Sequence, residues 1–289
     1  MDPITFAWTI AATFFAGGQL FFQKVVAQQG RNAALNGIFM YGISGVLATA
    51  ILLLFYGIPK EWSVIAFFAL TSGVVHAIGN FIRIEGLKYI DTILFFPINK
   101  LLGPLIALIG GAWFFADALT ARQYVGIAFS LGVPLLLVSS AEQHRQKNLN
   151  KGLVFLVVST VFTSGSMLLT KAGVLHDPSV LFFMSISQFA GMASSTTIFL
   201  REKHVRRSST LGITREDVVL GLVAGMLGFI SFFALLKAFS TGLVSLVYVI
   251  HAHYILIPIV LSVWWYGDHI NARKIIAVAL SFIAITLIV

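Results

Sequence analysis

The sequence predicts an all-α membrane protein of ten transmembrane helices, arranged as two inverted five-helix repeats. Three observations carry that prediction. Hydrophobic residues make up 58% of the 289-residue chain and charged residues 10%, against about 25% charged in a soluble domain. Ten predominantly apolar segments follow one another, each near the roughly 20 residues that a spanning helix needs. The two halves also match each other, in order.

The segments begin near Ile4, Ala33, Trp62, Asp91, Ala121, Gly152, Pro178, Val218, Gly242 and Asn271. Most connections between them are short. Two are longer and polar, Ala141–Lys151 and Arg201–Asp217, and neither has the length or composition of a domain. The first segment lacks a basic leading stretch and a small-x-small cleavage site, so it reads as a retained helix. The net charge of +8 lies in short loops and reads as a topology and lipid-headgroup signal, with no nucleic acid partner. The absence of cysteine excludes a disulfide framework and a thiolate metal site.

The repeat rests on three anchor sets. Phe15, Gly18 and Lys24 recur as Phe162, Gly165 and Lys171 at an offset of 147. Leu87-Lys88 recurs as Leu236-Lys237 at 149, and Asp117 with Ala121-Arg122 recurs as Asp268 with Ala272-Arg273 at 151. The chain therefore divides into a first repeat over 1–140, a linker over 141–151 and a second repeat over 152–289. Five helices per copy is an odd number, so the second copy inserts upside down. Inverted repeats of this kind are a feature of secondary transporters, whose substrate sites lie near the midplane between the repeats.

These residues carry a resemblance. Phe-Ala-Gly-Gly-Gln at 15–19, Thr-Ser-Gly-Ser at 163–166, Gly-Leu-Lys-Tyr at 86–89, Pro104 and Asp-Ala-Leu-Thr at 117–120 resemble a ten-helix member of the drug/metabolite transporter superfamily, in its EamA-like family. The chain departs from the family at Ala116-Asp117 and Gly267-Asp268, where relatives show Gly-Glu. It departs again at Phe95, Phe96, Asn99 and Lys100, where relatives carry small or apolar residues. The resemblance implies export or uptake of a small metabolite without a cofactor. The corresponding setting is the lipid bilayer of the cell inner membrane, as a multi-pass monomer or homodimer.

Lys100 is the leading site candidate. It lies about nine residues into the fourth segment, roughly 14 Å from its start, with no acidic residue deep in any span. A mid-membrane lysine costs about 2.5–3.5 kcal/mol on insertion scales and so faces a cavity or partner unless it snorkels. The offset of 151 pairs Lys100 with His251, and the offset of 149 pairs it with Val249. His251 and His253 are two apart and point to opposite sides of one helix. A neutral histidine bonded to a carbonyl and a proton-carrying histidine both fit there. Gln19 and Gln23 share a helix face and map onto Ser166 and Thr170. Both stripes fit either a cavity wall or polar glue between helices.

Ser72, His76, Asn80 and Arg83 form one stripe on the third segment. His76 and Asn80 lie deep enough to reach the cavity, whereas Arg83, Glu85 and Lys88 read as a solvated helix end with an internal ion pair. Asn99 and Tyr248 sit beside the two central positions, with Phe95, Phe96 and Tyr254 flanking them as pocket wall or core. Pro97, Pro104 and Pro258 predict bent fourth and ninth helices. Gly42, Gly45, Ala48, Gly221 and Gly225 permit close helix packing. Trp62, Trp113, Trp264 and Trp265 read as interface anchors.

The expected function is a secondary transporter that exports a small polar or amphipathic metabolite, such as an amino acid or another carboxylate-bearing compound. The alternatives are a lipid-headgroup translocase of the same superfamily and a membrane-embedded enzyme. No catalytic residues or metal ligands are expected, since buried carboxylates, His-x-Glu spacing and an ATP-binding loop are all missing from the sequence. Orientation is open. The loops after odd-numbered helices hold fourteen Lys and Arg against four on the other side, which puts them in the cytoplasm and both termini outside. The resemblance implies both termini inside.

Overall fold

The computed structural model describes residues 1–60, 62–90, 92–137, 148–176, 179–206, 213–257, 260–261 and 272–289. Among them are ten α-helices. The first half holds α1 (Pro3–Gln28), α2 (Ala33–Phe55), α3 (Trp62–Gly86), α4 (Thr92–Phe115) and α5 (Ala121–Leu137). The second holds α6 (Leu149–His176), α7 (Val180–Arg206), α8 (Arg215–Thr241), α9 (Val244–Ala252) and α10 (Ala272–Ile288). Six contain stretches long and apolar enough to cross a membrane: α1, α2, α3, α4, α6 and α8. The chain is an all-α, multi-pass membrane protein.

Local signals explain where these helices start. Asp2 accepts hydrogen bonds from the backbone amides of Ile4 and Thr5, with Pro3 following in the first turn, the arrangement expected at a helix start. A side-chain hydrogen bond with Thr5, together with those backbone bonds, holds the Asp2 carboxyl below the usual carboxylate range. Asn32 caps α2 through the Leu35 amide, and Thr214 with Asp217 forms a capping box at α8. Two element boundaries differ from the sequence reading. The polar stretch from Arg201 to Arg206 continues α7, and Arg215 already opens α8. The ninth span breaks after Ala252 into a 3-10 turn, His253–Ile255. Pro258, Trp264, Trp265, Gly267, Asp268 and Arg145 lie outside the described residues.

The packing has the predicted twofold relation. α3 packs on α6 and α7 as α8 packs on α1 and α2, while α2 meets α7, α4 meets α9 and α5 meets α10. The copies run in opposite directions. Thr5 at the start of α1 meets Thr241 at the end of α8, and the Met1 amine reaches the Val289 carbonyl. At the other end, Arg31 after α1 binds Asp217 at the start of α8 at 2.8 Å. Lys151 in the first turn of α6 donates to Tyr89 after α3 at 2.9 Å. Thus α1 starts on one face and α6 on the other. We call these the terminal face and the basic face.

Glycines set the two symmetric crossings. A Cβ on Gly225 of α8 would stand 2.8 Å from the Met40 carbonyl oxygen of α2. Gly73 of α3 likewise abuts the Ser187 backbone of α7. Met40 and Ser187 are themselves separated by the repeat offset of 147. Backbones this close exclude any side chain between them, so the crossing requires glycine.

The main apolar cluster lies toward the terminal face. It joins Leu52, Ile65, Phe183, Phe239, Val244 and Val247, with Met1 and Trp8 packed against it. At that face Lys171 donates to the carbonyls of Phe239 and Gly242 at 2.6 and 2.9 Å. The Asp117 carboxylate accepts from the Ser245 amide at 2.9 Å. A cation at the end of α8 and an anion at the start of α9 both complement the helix dipoles, and together they pin the tight α8–α9 turn.

Candidate functional site

Beneath that cluster a central cavity of about 100 Å³ opens between the repeats. It is smaller than the roughly 150 Å³ engineered cavity that admits benzene, so this conformation suits a small ligand. Its wall uses the second half of α1 (Ala16, Gln19, Leu20, Gln23), the middle and end of α3 (Ser72, His76, Arg83) and the first half of α4 (Asn99, Lys100). α6 contributes Ser166, α8 contributes Ser231 and Phe232, and α9 contributes Tyr248 and His251. α7 adds Ser187 and Gln188 and α8 adds Leu235 from their terminal-face halves, so the cavity spans the middle of the bundle, with the apolar cluster closing the terminal face.

Lys100 is buried in this wall, 7% exposed, so it does not snorkel. Its ammonium donates to the Tyr254 hydroxyl and lies 3.8 Å from the centroid of the same ring, within cation–π range. The break after α9 supplies that partner: the 3-10 turn carries Tyr254 back toward α4. Pro104 sits four residues beyond Lys100, and lacking an amide hydrogen it frees the Lys100 carbonyl from the helical ladder. α4 stays helical through both Pro97 and Pro104. The predicted involvement of Pro258 lies outside the described residues.

His251 and His253 diverge. His251 lines the central cavity, its ring 5.1 Å from that of Tyr254, and its Nδ1 has no hydrogen-bond partner. His253 faces a separate small pocket with Ser130 and Pro134, and its Nδ1 lies 3.0 Å from the Val249 carbonyl oxygen.

The predicted stripes divide between wall and support. Gln19 and Gln23 line the cavity, and both amides donate only to the Met40 thioether, at 3.0 and 3.3 Å. Ser166 lines it as well, whereas Thr170 lies behind the wall and shares a 2.7 Å bond with Ser72. Asn99 faces the cavity while its amide donates to Thr160 at 2.6 Å. Tyr248 lines it with its hydroxyl 3.4 Å from Ser164. His76 lines it, edge-on to Tyr41. Asn80 does not line it: its side-chain oxygen accepts from Arg83. Phe95 is fully buried in an apolar cluster with Leu156.

Arg83 corrects the sequence reading. Lys88 does pair with Glu85, so the helix end holds its predicted ion pair, but Arg83 does not belong to it. Its guanidinium turns inward and donates to Gln23 at 2.6 Å and to Asn80. The stripe of Ser72, His76, Asn80 and Arg83 was the available signal. α3 extends to Gly86, so Arg83 still lies within the last helical turn. Tyr41, from α2, was not singled out, since a lone tyrosine in an apolar span carries no periodic signal.

Among the described residues no group of histidines and carboxylates could hold a metal ion, and no Asp or Glu lines the cavity. The site thus offers two cations, several neutral donors and an aromatic wall.

Comparison with known proteins agrees with this architecture. The EamA-like transporter family matches residues 150–289. A solved crystal structure superposes with a TM-score of 0.73 at 16% identity, covering 97% of this chain and 97% of its own. Likeness at that identity speaks to the fold alone. No curated protein sequence matches the chain.

Proposed function

Since the chain belongs, through residues 150–289, to the EamA-like transporter family, we propose that it is a secondary transporter exporting a small anion-bearing metabolite. Candidates are an amino acid or another compound with a carboxylate or phosphate group. Alternating access would move it across the cell inner membrane, the two repeats rocking about the central cavity. The observation that carries this reading is Lys100: a buried lysine in a cavity wall without a carboxylate. A carboxylate or phosphate oxygen would accept from the ammonium, while Phe232 and Tyr248 would meet an apolar substituent.

Export is supported by the larger apolar cluster, which closes the terminal face. The opposite, basic face is the one that the positive-inside rule assigns to the cytoplasm, so a substrate would load from there. Release needs the apolar cluster at the terminal face to part. Transport screens of reconstituted proteoliposomes against a metabolite panel test the proposal. An anionic metabolite should exchange across the membrane in the presence of the protein. Uptake of cationic or uncharged compounds alone would reject the reading.

A further inference from the structure

We infer that the cavity holds a phosphate-monoester group between Lys100 and Arg83, which narrows the substrate to a phosphorylated compound. This rests on the proposed transport through the same cavity and names the chemistry recognised there.

The first observation is uncompensated charge. Lys100 and Arg83 both line the cavity, and no Asp or Glu does. The ion pairs among the described residues involve Arg31 and Lys88, neither of these two. Arg83 is instead cradled by the neutral oxygens of Gln23 and Asn80, which orient the guanidinium without neutralising it. A positioned cation left with neutral partners is suited to an anion that arrives from outside.

The second observation is convergence. The Tyr254 hydroxyl that accepts from Lys100 lines the same cavity as Arg83. The two cations therefore face one shared cavity. A phosphate monoester concentrates up to two negative charges on one compact group, and arginine and lysine are its usual ligands. An extended dicarboxylate separates its charges. An amino acid would bring its ammonium toward two cations, with no carboxylate to receive it.

The third observation is a surplus of unused polar groups on the same wall. The Nε of Arg83, the Nδ1 of His251 and the hydroxyl of Tyr41 are buried without partners. The NH2 groups of Gln19 and Gln23 donate to a thioether, a weak acceptor. Leaving such groups unpaired is unfavourable, and a phosphate, with several acceptor oxygens, would satisfy them together.

The same chemistry could come from a soluble phosphate monoester or from a lipid with a monoester headgroup. Thermal unfolding of the purified full chain in nanodiscs would be followed with glycerol 3-phosphate, succinate or alanine added, and separately with phosphatidic acid in the bilayer. Binding of a native-state ligand raises the unfolding midpoint. Glycerol 3-phosphate or phosphatidic acid should raise it, the responding arm naming the source, and the phosphate should bind at least tenfold tighter than succinate or alanine. Arg83→Gln should weaken phosphate binding at least tenfold, while Arg83→Lys should retain most of it.

Equal binding of alanine and both phosphates, or unchanged phosphate binding in Arg83→Gln, would overturn the inference. If Arg83→Gln does not fold, the wild-type preference and the Arg83→Lys result decide alone. Transport of a carboxylate that Lys100→Met abolishes, with no response to either phosphate, would sink the phosphate assignment and leave the transport reading intact. Full transport by Lys100→Met would instead sink that reading.

Discussion

Lys100 in α4 donates a hydrogen bond to the hydroxyl of Tyr254 in the turn that ends α9. These helices are equivalent elements of the two repeats, so the bond spans the pseudo-twofold axis beside the cavity. A hydrogen bond from a charged group contributes about 1.5–3 kcal/mol. Tyr254→Phe should therefore lower stability by roughly that amount. A double-mutant cycle with Lys100→Met, read by unfolding in denaturant, should return a coupling of similar size. A coupling near zero would mean that the pair does not act together.

The glycine crossings give an internally controlled prediction. Gly73→Ala and Gly225→Ala push a Cβ against the backbones of Ser187 and Met40 and should each cost about 1–3 kcal/mol, as overpacking does. A Cβ at Gly165 meets nothing within 4 Å, so Gly165→Ala should be neutral or stabilising by up to about 1 kcal/mol. Thermal unfolding of the three variants checks the order. Equal effects would contradict the close crossings.

The turn before α5 predicts opposite signs at neighbouring residues. Ala116 adopts a φ of 52°, a left-handed conformation that costs a residue with a Cβ about 1–2 kcal/mol. Ala116→Gly removes that strain, partly offset by the freer unfolded chain, and should stabilise by about 0.5–1 kcal/mol. Asp117→Ala leaves the Ser245 amide at the start of α9 unpaired and should destabilise by about 1.5–3 kcal/mol. Denaturant unfolding of both variants tests the pair.

Much of the fold was legible because membrane helices must be apolar over a fixed length and because a duplication repeats its anchors. The offset linking Phe15, Gly18 and Lys24 to Phe162, Gly165 and Lys171 agrees with the symmetric packing. The site was less legible. Lys100 stands out because a charge in lipid is costly. Arg83 carries the same charge but lies near a helix end, where solvent is the ordinary partner; only the neighbouring α1, through Gln23, draws it inward. Asn80 and Thr170 fall on the right helix faces yet bond to their neighbours, since periodicity fixes a face and leaves the partner undetermined. The break after Ala252 depends on the tertiary setting of His253 and Tyr254, which hydropathy does not encode.

Orientation is open to direct labelling because the chain has no cysteine. Gln29, on the basic face, and Ile58, on the terminal face, are both exposed. With the basic face in the cytoplasm, Ile58→Cys should react with an impermeant thiol reagent on intact cells and Gln29→Cys only after lysis. The reverse pattern would put both termini, and the closed terminal face, inside.

The central claim is that the transported anion meets Lys100, and transport by the Lys100→Met variant tests it most directly. Wild type and variant would be reconstituted at equal density, and exchange measured for the anionic metabolite that the wild type carries. Methionine fills a similar volume without the charge, so removal of a buried charge should leave folding largely intact. The account predicts a folded variant with an unchanged elution profile and no measurable exchange. Exchange at the wild-type rate would contradict it.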